Sequence, residues 1–192
     1  IQNKRIKSQS GSRNSVHKEF DLEYVENKKT LPPLSPRLAF RLITNRTNSR
    51  TTICSLVPPN CFLSNSAQYL LWPRGDEKDQ AYLLGILSSI ALDWYARRFV
   101  EINFNFYLFN PLPIPRPQKD NLLYKRVIEL SGRLASPDDR FKDWANKVGV
   151  ECGPMEESDK EAMIYELDAL VAQLYGLSES QLTHIFETFH VG

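Results

Sequence analysis

Hydrophobic positions along the chain change their period three times, and the changes mark out its regions. Leu38, Phe40 and Leu42 alternate with Arg37, Ala39 and Arg41. In a second segment Thr51, Ile53, Ser55 and Val57 make one row, and Thr52, Cys54 and Leu56 the other. A period of two belongs to a pleated strand, so residues 37–57 are expected to hold a strand pair. Asn45-Arg46-Thr47-Asn48-Ser49-Arg50 lies between the two rows, a polar run of the kind that turns strands. The stiff segment Leu31-Pro32-Pro33-Leu34-Ser35-Pro36 delivers the first strand, and Pro58-Pro59-Asn60 ends the second. Tyr69 to Trp72 is a further short apolar run. Upstream, Phe20, Leu22 and Tyr24 alternate with Asp21 and Glu23 and read as a short strand, after a polar, aperiodic stretch over residues 1–20.

The period then lengthens to that of a helix. Leu83, Ile86, Leu87, Ile90, Ala91 and Trp94 recur at helical spacing, and Leu84, Leu92 and Tyr95 widen the stripe nearly all round. One central, buried helix over residues 80–98 is expected, closed by Arg97-Arg98. Gly85, Ser88 and Ser89 give it a small face for close approach to another element. Ile102, Phe104, Phe106 and Leu108 alternate with Asn103, Asn105 and Tyr107, which predicts a strand. Pro111, Pro113, Pro115 and Pro117 force an extended exit.

The last third reads as helices. Leu123, Val127, Leu130 and Leu134 line one. Ser136-Pro137-Asp138-Asp139 is expected to cap the next, which carries Phe141, Trp144, Ala145 and Val148 and stops at Gly149. Ser158-x-x-Glu161 and Ser178-x-x-Gln181 read as capping boxes for the final two. Trp72, Trp94 and Trp144 are assigned to the core. The fold class that follows is α+β: a small, mainly antiparallel or mixed sheet with a central buried helix, then a C-terminal helical subdomain. The boundaries are a polar arm or linker over 1–30, an α/β core over 31–117 and a helical subdomain over 118–192.

Composition narrows the classes. With 192 residues, 42% of them hydrophobic, the chain has enough apolar surface for one domain, and disorder, collagen and coiled coil are excluded. The most apolar stretch, Gln80 to Leu92, is free of charge for only 13 residues, short of the ~20 of a membrane span. The first 15 residues have no apolar core of a signal peptide. Three cysteines, Cys54, Cys61 and Cys152, lack metal spacing and suit a reducing, cytoplasmic compartment. The chain opens on Ile1, so it is expected to be a fragment of a larger protein.

A net charge of +1 conceals a gradient. Residues 1–60 carry 11 Lys/Arg against 4 Asp/Glu, residues 61–117 carry 5 against 5, and residues 118–192 carry 8 against 14. A basic front suits a polyanion, and an acidic tail is repelled from one. Solvated faces and a basic terminus would produce the same gradient.

Catalytic machinery is hard to find. His17 lies in the polar arm, and His184 and His190 in an amphipathic terminal helix, none beside a partner for proton transfer. No Cys/His spacing makes a zinc site, and no phosphate loop, dinucleotide turn or nucleophile elbow is present. Arg37, Arg41, Arg46, Asn48, Arg50, Thr51 and Thr52 instead cluster around one turn. Arg forks onto guanine or clamps phosphate, and Asn pairs bidentately with adenine; Thr holds phosphate. A solvated hairpin tip would have the same composition. Asn103, Asn105 and Tyr107 suit a nucleic-acid face or a satisfied polar layer under a helix.

Two stretches add a family resemblance. Arg37-Leu-Ala-Phe-Arg-Leu-Ile-Thr-Asn-Arg-Thr-Asn-Ser-Arg-Thr-Thr-Ile runs on to Leu56-Val-Pro-Pro-Asn60. Leu83-Leu-Gly-Ile-Leu-Ser-Ser leads through Asp93-Trp-Tyr-Ala-Arg-Arg-Phe-Val-Glu to Asn105 and Leu112-Pro-Ile-Pro-Arg-Pro117. Together they resemble the C-terminal target-recognition region of bacterial adenine-N6 DNA methyltransferases of type IIG-like restriction–modification and phage-exclusion systems. Glu166-Leu-Asp-Ala-Leu-Val-Ala-Gln-Leu-Tyr-Gly-Leu through Ile185-Phe is similar to the helical ending of those proteins. The resemblance implies a module that reads double-stranded DNA beside a covalently linked catalytic domain, with S-adenosylmethionine as that domain's cofactor. It implies DNA contacts by Arg41, Arg46, Asn48, Arg50 and Thr51, then Arg97, Arg98, Asn103 and Asn105. The cofactor's Gly-rich turn, the Asn/Asp-Pro-Pro-aromatic motif and a nuclease motif are all missing. Pro58-Pro59-Asn60-Cys61 has the wrong order. No cofactor is therefore expected on this chain. The rival expectation is a protein-docking or specificity-subunit-like adaptor, motivated by the acidic helices and the Pro-rich exit.

Overall fold

A computed structural model describes residues 23–24, 27–45, 47–72 and 74–189. Residues 1–22 of the polar arm, with His17, Phe20 and Leu22, lie outside the described residues, as do Arg46 and His190; Tyr24, expected in the same short strand, is helical. Three strands form one antiparallel sheet: β1 (Arg37–Arg41), β2 (Cys54–Val57) and β3 (Ala67–Tyr69), in the order β2-β1-β3. Phe40 pairs with Cys54 on one side and Gln68 on the other. Helices α1 (Glu77–Ser88), α2 (Ile90–Ala96) and α3 (Phe106–Phe109) follow. Then come α4 (Leu122–Leu134), α5 (Lys142–Val148), α6 (Glu157–Leu174) and α7 (Glu179–Thr188). The fold is a small α+β one, as the periodicity predicts. Among the described residues no helix is long and apolar enough to cross a membrane.

The central helix is two helices. Ser89 adopts ψ 150° and breaks the ladder; its Oγ donates to the Ile86 carbonyl and accepts from the Leu92 amide. The Ile90 amide donates to Asp168 of α6 at 2.7 Å. The cap that makes the break stable comes from 78 residues away, so no local period reveals it.

The strand expected over 102–108 is also corrected. Only Asn103 makes a bridge, with Ile43, and the chain then turns into α3. Asn105 Oδ1 accepts the Tyr107 and Leu108 amides and starts that helix. Phe106 and Phe109 pack on Phe40, with ring centroids 5.2 and 4.5 Å away. An N-cap and an aromatic cluster override the alternation.

Smaller corrections share one cause, a backbone group satisfied differently from the expectation. Ser136 turns its hydroxyl back to the Gly132 carbonyl, while Asp138 caps a 3-10 turn and α5 starts at Lys142. Ser158 lies inside α6, whose N-cap position is Glu156. β2 starts at Cys54, three residues after Thr51. The Ser178–Gln181 capping box forms, and Gly149 ends α5 in the left-handed region at φ 91°.

One apolar cluster joins Leu38, Phe40 and Leu56 of the sheet to Leu84, Ile86 and Leu87 of α1. It continues through Val127 and Leu130 of α4 to Leu167 and Val171 of α6. The sheet and the late helices thus share a core. Trp144 is buried, donating to Gln80 Oε1 at 2.9 Å; Trp72 and Trp94 are half-buried. The Pro-rich exit is fastened by two hydroxyls, Tyr82 to the Pro115 carbonyl and Tyr175 to the Pro113 carbonyl. A smaller cluster of Ile90, Ile185 and Phe189, with Trp94 and Leu177 against it, docks α7 on α2.

The small face of α1 is where α4 approaches. A Cβ on Gly85 would sit 2.8 Å from Val127 Cγ1 and 3.1 Å from Ser131 Cβ. Gly85→Ala should therefore destabilise the fold by about 1–3 kcal/mol through overpacking, despite a helix-propensity gain of about 1 kcal/mol. Urea unfolding measures the net; a more stable variant would contradict this packing.

Candidate nucleic-acid interface

The candidate site starts from a carboxylate. Asp93 of α2 is fully buried, with 0% exposure. It accepts the Thr51 amide at 2.9 Å, the Thr52 amide at 2.6 Å and the Thr52 hydroxyl at 2.9 Å. Arg97, one helical turn on, lies 3.6 Å away as its ion-pair partner. A carboxylate out of water is tolerable only when its lone pairs are filled, and here the filling groups belong to the loop between β1 and β2. Arg97 then reaches across the loop's tip. Its guanidinium donates to the Asn48 carbonyl at 2.6 Å, the Ser49 carbonyl at 2.9 Å and the Phe189 carbonyl at 3.0 Å. It also sits 4.0 Å over the Phe189 ring.

Several expected contact residues are thereby given structural work. Thr51 is 0% exposed and Arg97 8%. Thr51 and Arg97 are taken up in the buried hydrogen bonds that hold the loop. Asn48 is half-buried, and its amide nitrogen donates to Thr44 Oγ1 at 3.3 Å. Arg50 is half-buried, 3.8 Å from Asp168 and 5.7 Å from the Phe189 ring. Arg46 lies outside the described residues.

Arg41, Arg98, Asn103 and Asn105 are exposed. A short antiparallel bridge brings two of their segments together. The Thr44 amide donates to the Ile102 carbonyl at 2.9 Å and the Phe104 amide to the Leu42 carbonyl at 2.7 Å, with Ile43 opposite Asn103 between them. Exposure alternates along the first segment, and in the second Phe104 is buried between exposed neighbours. Arg41, Ile43 and Asn45 are exposed while Leu42 is half-buried and Thr44 buried; Asn103 and Asn105 are exposed around a buried Phe104. The outward face thus carries Arg41 and Ile43 beside Asn103 and Asn105. Arg98 stands in the turn that leads from α2 to this bridge, 4.3 Å over the Trp94 ring. Neither Arg41 nor Arg98 has an ion-pair partner among the described residues. Phe99, Ile102 and Tyr107 are exposed around the same turn, Tyr107 at 85%.

Sequence reasoning missed two parts of this arrangement. Asp93 was legible as the lone acid inside an all-round apolar helix, four residues before an arginine. Ile43 had no signal of its own, because the bridge that turns it outward joins residues 60 apart.

Elsewhere among the described residues there is little that could do chemistry. Among the described residues no three His, Cys, Asp or Glu side chains gather as a metal would need. Burial, with the Asp93 charge behind it, pushes the Cys54 thiol up to about 12, so it stays protonated and poorly nucleophilic at neutral pH. Pro58-Pro59-Asn60 forms a turn, in which the Asn60 amide donates to the Pro33 carbonyl. A cavity of about 350 Å³ between β2, α1, α4 and α6 is mainly apolar. Its charged residues already pair, Lys160 with Glu157 and Arg50 with Asp168. A wider groove of about 670 Å³ runs beside β3, lined by Leu63, Tyr69, Leu71 and Phe106. Comparison with protein-family models, curated proteins and solved structures finds no match to this chain.

Removing the Asp93 carboxylate leaves two buried amides and an arginine without it. Asp93→Ala should cost about 3–5 kcal/mol, and the Thr51 and Thr52 amides should lose hydrogen-exchange protection first. Uniform loss across the chain would instead place the loop's anchor elsewhere. Asp168 titrates in the opposite sense to a paired surface acid. Burial pushes its carboxyl up, the Ile90 amide and Arg50 pull it down, and the Asp93 charge pushes it up again, with a net rise. Its contribution is therefore full below the unfolded value of about 3.9 and is lost as pH rises through the higher folded value. Asp168→Asn should gain stability relative to the parent protein as pH rises from acid to neutral. A difference independent of pH, from denaturant unfolding at each pH, would contradict that.

Proposed function

We propose that this chain is a DNA-reading module, the non-catalytic target-recognition part of an adenine-N6 DNA methyltransferase of restriction–modification type. The observation that carries this reading is the outward face where Arg41 and Ile43 stand beside Asn103 and Asn105, with Arg98 nearby. Unpaired arginines hold phosphates, and exposed amides and apolar tips read base edges. The charge gradient agrees with it, because the +7 front holds the loop and the −6 tail holds α6 and α7. The resemblance of the sequence supplies the enzyme class.

The division of labour is physically sensible. A methylase acting on adenine must turn the base out of the stack, which costs a few kcal/mol. A second module gripping the duplex offsets that cost and selects which adenine is presented. S-adenosylmethionine would serve the partner domain. The residues here do not fit it: the chain has no Gly-rich turn, and Pro58-Pro59-Asn60 is tied up in a turn against Pro33.

Fluorescence anisotropy of the chain with duplex DNA tests the reading. Arg41→Ala and Arg98→Ala should weaken binding, and each should lower the salt slope by about 0.9 per lost phosphate contact. Equal binding by parent and variants across salt would sink it. A folded chain that ignores DNA at low salt but forms a stable complex with a protein would favour the docking-adaptor reading.

A further inference from the structure

Resting on the DNA-reading function above, we propose that Ile43 and Asn103 form a pair that reads one A·T base pair through the major groove. The bridge between them sets their geometry. Ile43 and Asn103 are flanked by the two hydrogen bonds, Thr44 to Ile102 and Phe104 to Leu42. They therefore occupy a non-hydrogen-bonded antiparallel position, where opposed side chains stand close together on one face. Both are exposed, Ile43 at 52%. Their neighbours Thr44 and Phe104 are buried on the other face.

The candidate asparagines are not equivalent. Asn48 spends its amide nitrogen on Thr44, and Asn105 spends its oxygen on the Tyr107 and Leu108 amides. Asn45 spends its oxygen on the Thr47 amide. Asn103 alone of the four keeps both ends of its carboxamide free among the described residues. Adenine shows an acceptor at N7 and a donor at N6 in the major groove, the complement of a free carboxamide. Thymine, its partner, shows a methyl group, the complement of an isoleucine tip. A two-stranded ribbon such as 42–44 with 102–104 is of a width the major groove admits.

The pair is also held still. Phe104, with 0% exposure, packs 5.5 Å from the Phe40 ring, and the Asp93–Thr51–Thr52 bonds fix the end of the same loop. A reader that is rigid before binding loses less entropy on docking. Arg41 and Arg98 are placed to take phosphates and so to set the register.

The test uses the 192-residue chain and a randomised duplex DNA library, selected at low salt. The parent should enrich a motif with an A·T pair at one position. Asn103→Ala should relax the preference at that same position by about 5- to 150-fold against the wrong pair, and Ile43→Ser should relax it at the same position by a smaller factor. Asn103→Asp, which keeps the shape but loses the donor, should move the preference from A toward C. In the selected duplex, 7-deazaadenine at that position should weaken the parent and leave Asn103→Ala unaffected. Uracil for thymine should weaken the parent and leave Ile43→Ser unaffected. Both side chains are exposed, so melting temperatures should stay at the parent's. A selected motif lacking A·T, or one that both variants keep, overturns the pairing while leaving DNA reading intact. No duplex retained at low salt overturns both.

Discussion

The Asp93 carboxylate is ringed by the amides of Thr51 and Thr52, the Thr52 hydroxyl and the Arg97 guanidinium. Taking that charge out of water is tolerable only with every donor in place. The loop between β1 and β2 is consequently bolted to α2, not left to wave as a hairpin tip. Arg97 carries the constraint onward, to the carbonyls of Asn48 and Ser49 and to Phe189 beyond α7. The C-terminal helix, the loop and the central helix are thus parts of one brace. The outward face of Arg41, Ile43, Asn103 and Asn105 depends on it for its shape.

A second constraint lies in the core. Leu38, Phe40 and Leu56 on the sheet share an apolar cluster with α1, α4 and α6. The strands are only 5, 4 and 3 residues long, and burying one face of the sheet against helices adds the apolar area that such short strands lack. The close contact of Gly85 with Val127 and Ser131 ties α4 to α1. Arg126 adds a bidentate pair to Glu166, at 2.7 and 2.8 Å, between α4 and α6. That pair is half exposed, and such pairs contribute only modestly. The rigidity of the candidate face therefore comes mostly from packing and from the buried Asp93 network.

The arrangement also sorts the arginines by job. Arg97 and Arg98 are adjacent in sequence and look alike there. One is buried among carbonyls and a carboxylate, and the other is exposed over the Trp94 ring. Arg41 and Arg50 divide in the same way: Arg41 is unpaired among the described residues, and Arg50 leans on Asp168 and Phe189. Each division follows from which acid or carbonyl the fold brings within reach, a property of the tertiary neighbourhood and not of the residue type.

From sequence alone, the period-two rows at 38–42 and 53–57 determined two strands, and the helical spacing after Leu83 and Leu123 determined the helices packed on them. Gly149 and the Ser178–Gln181 box set two helix ends, because their partners lie within four residues. Local chemistry is sufficient wherever cap and capped group share a turn. It was insufficient at Ser89, whose break is fixed by Asp168, and at residues 102–108, where Phe40 drew the chain into α3. Composition likewise named the arginines and asparagines of the candidate face without sorting them. Only the tertiary structure decided which were spent inside the molecule, because burial and hydrogen-bond satisfaction are settled between residues tens of positions apart.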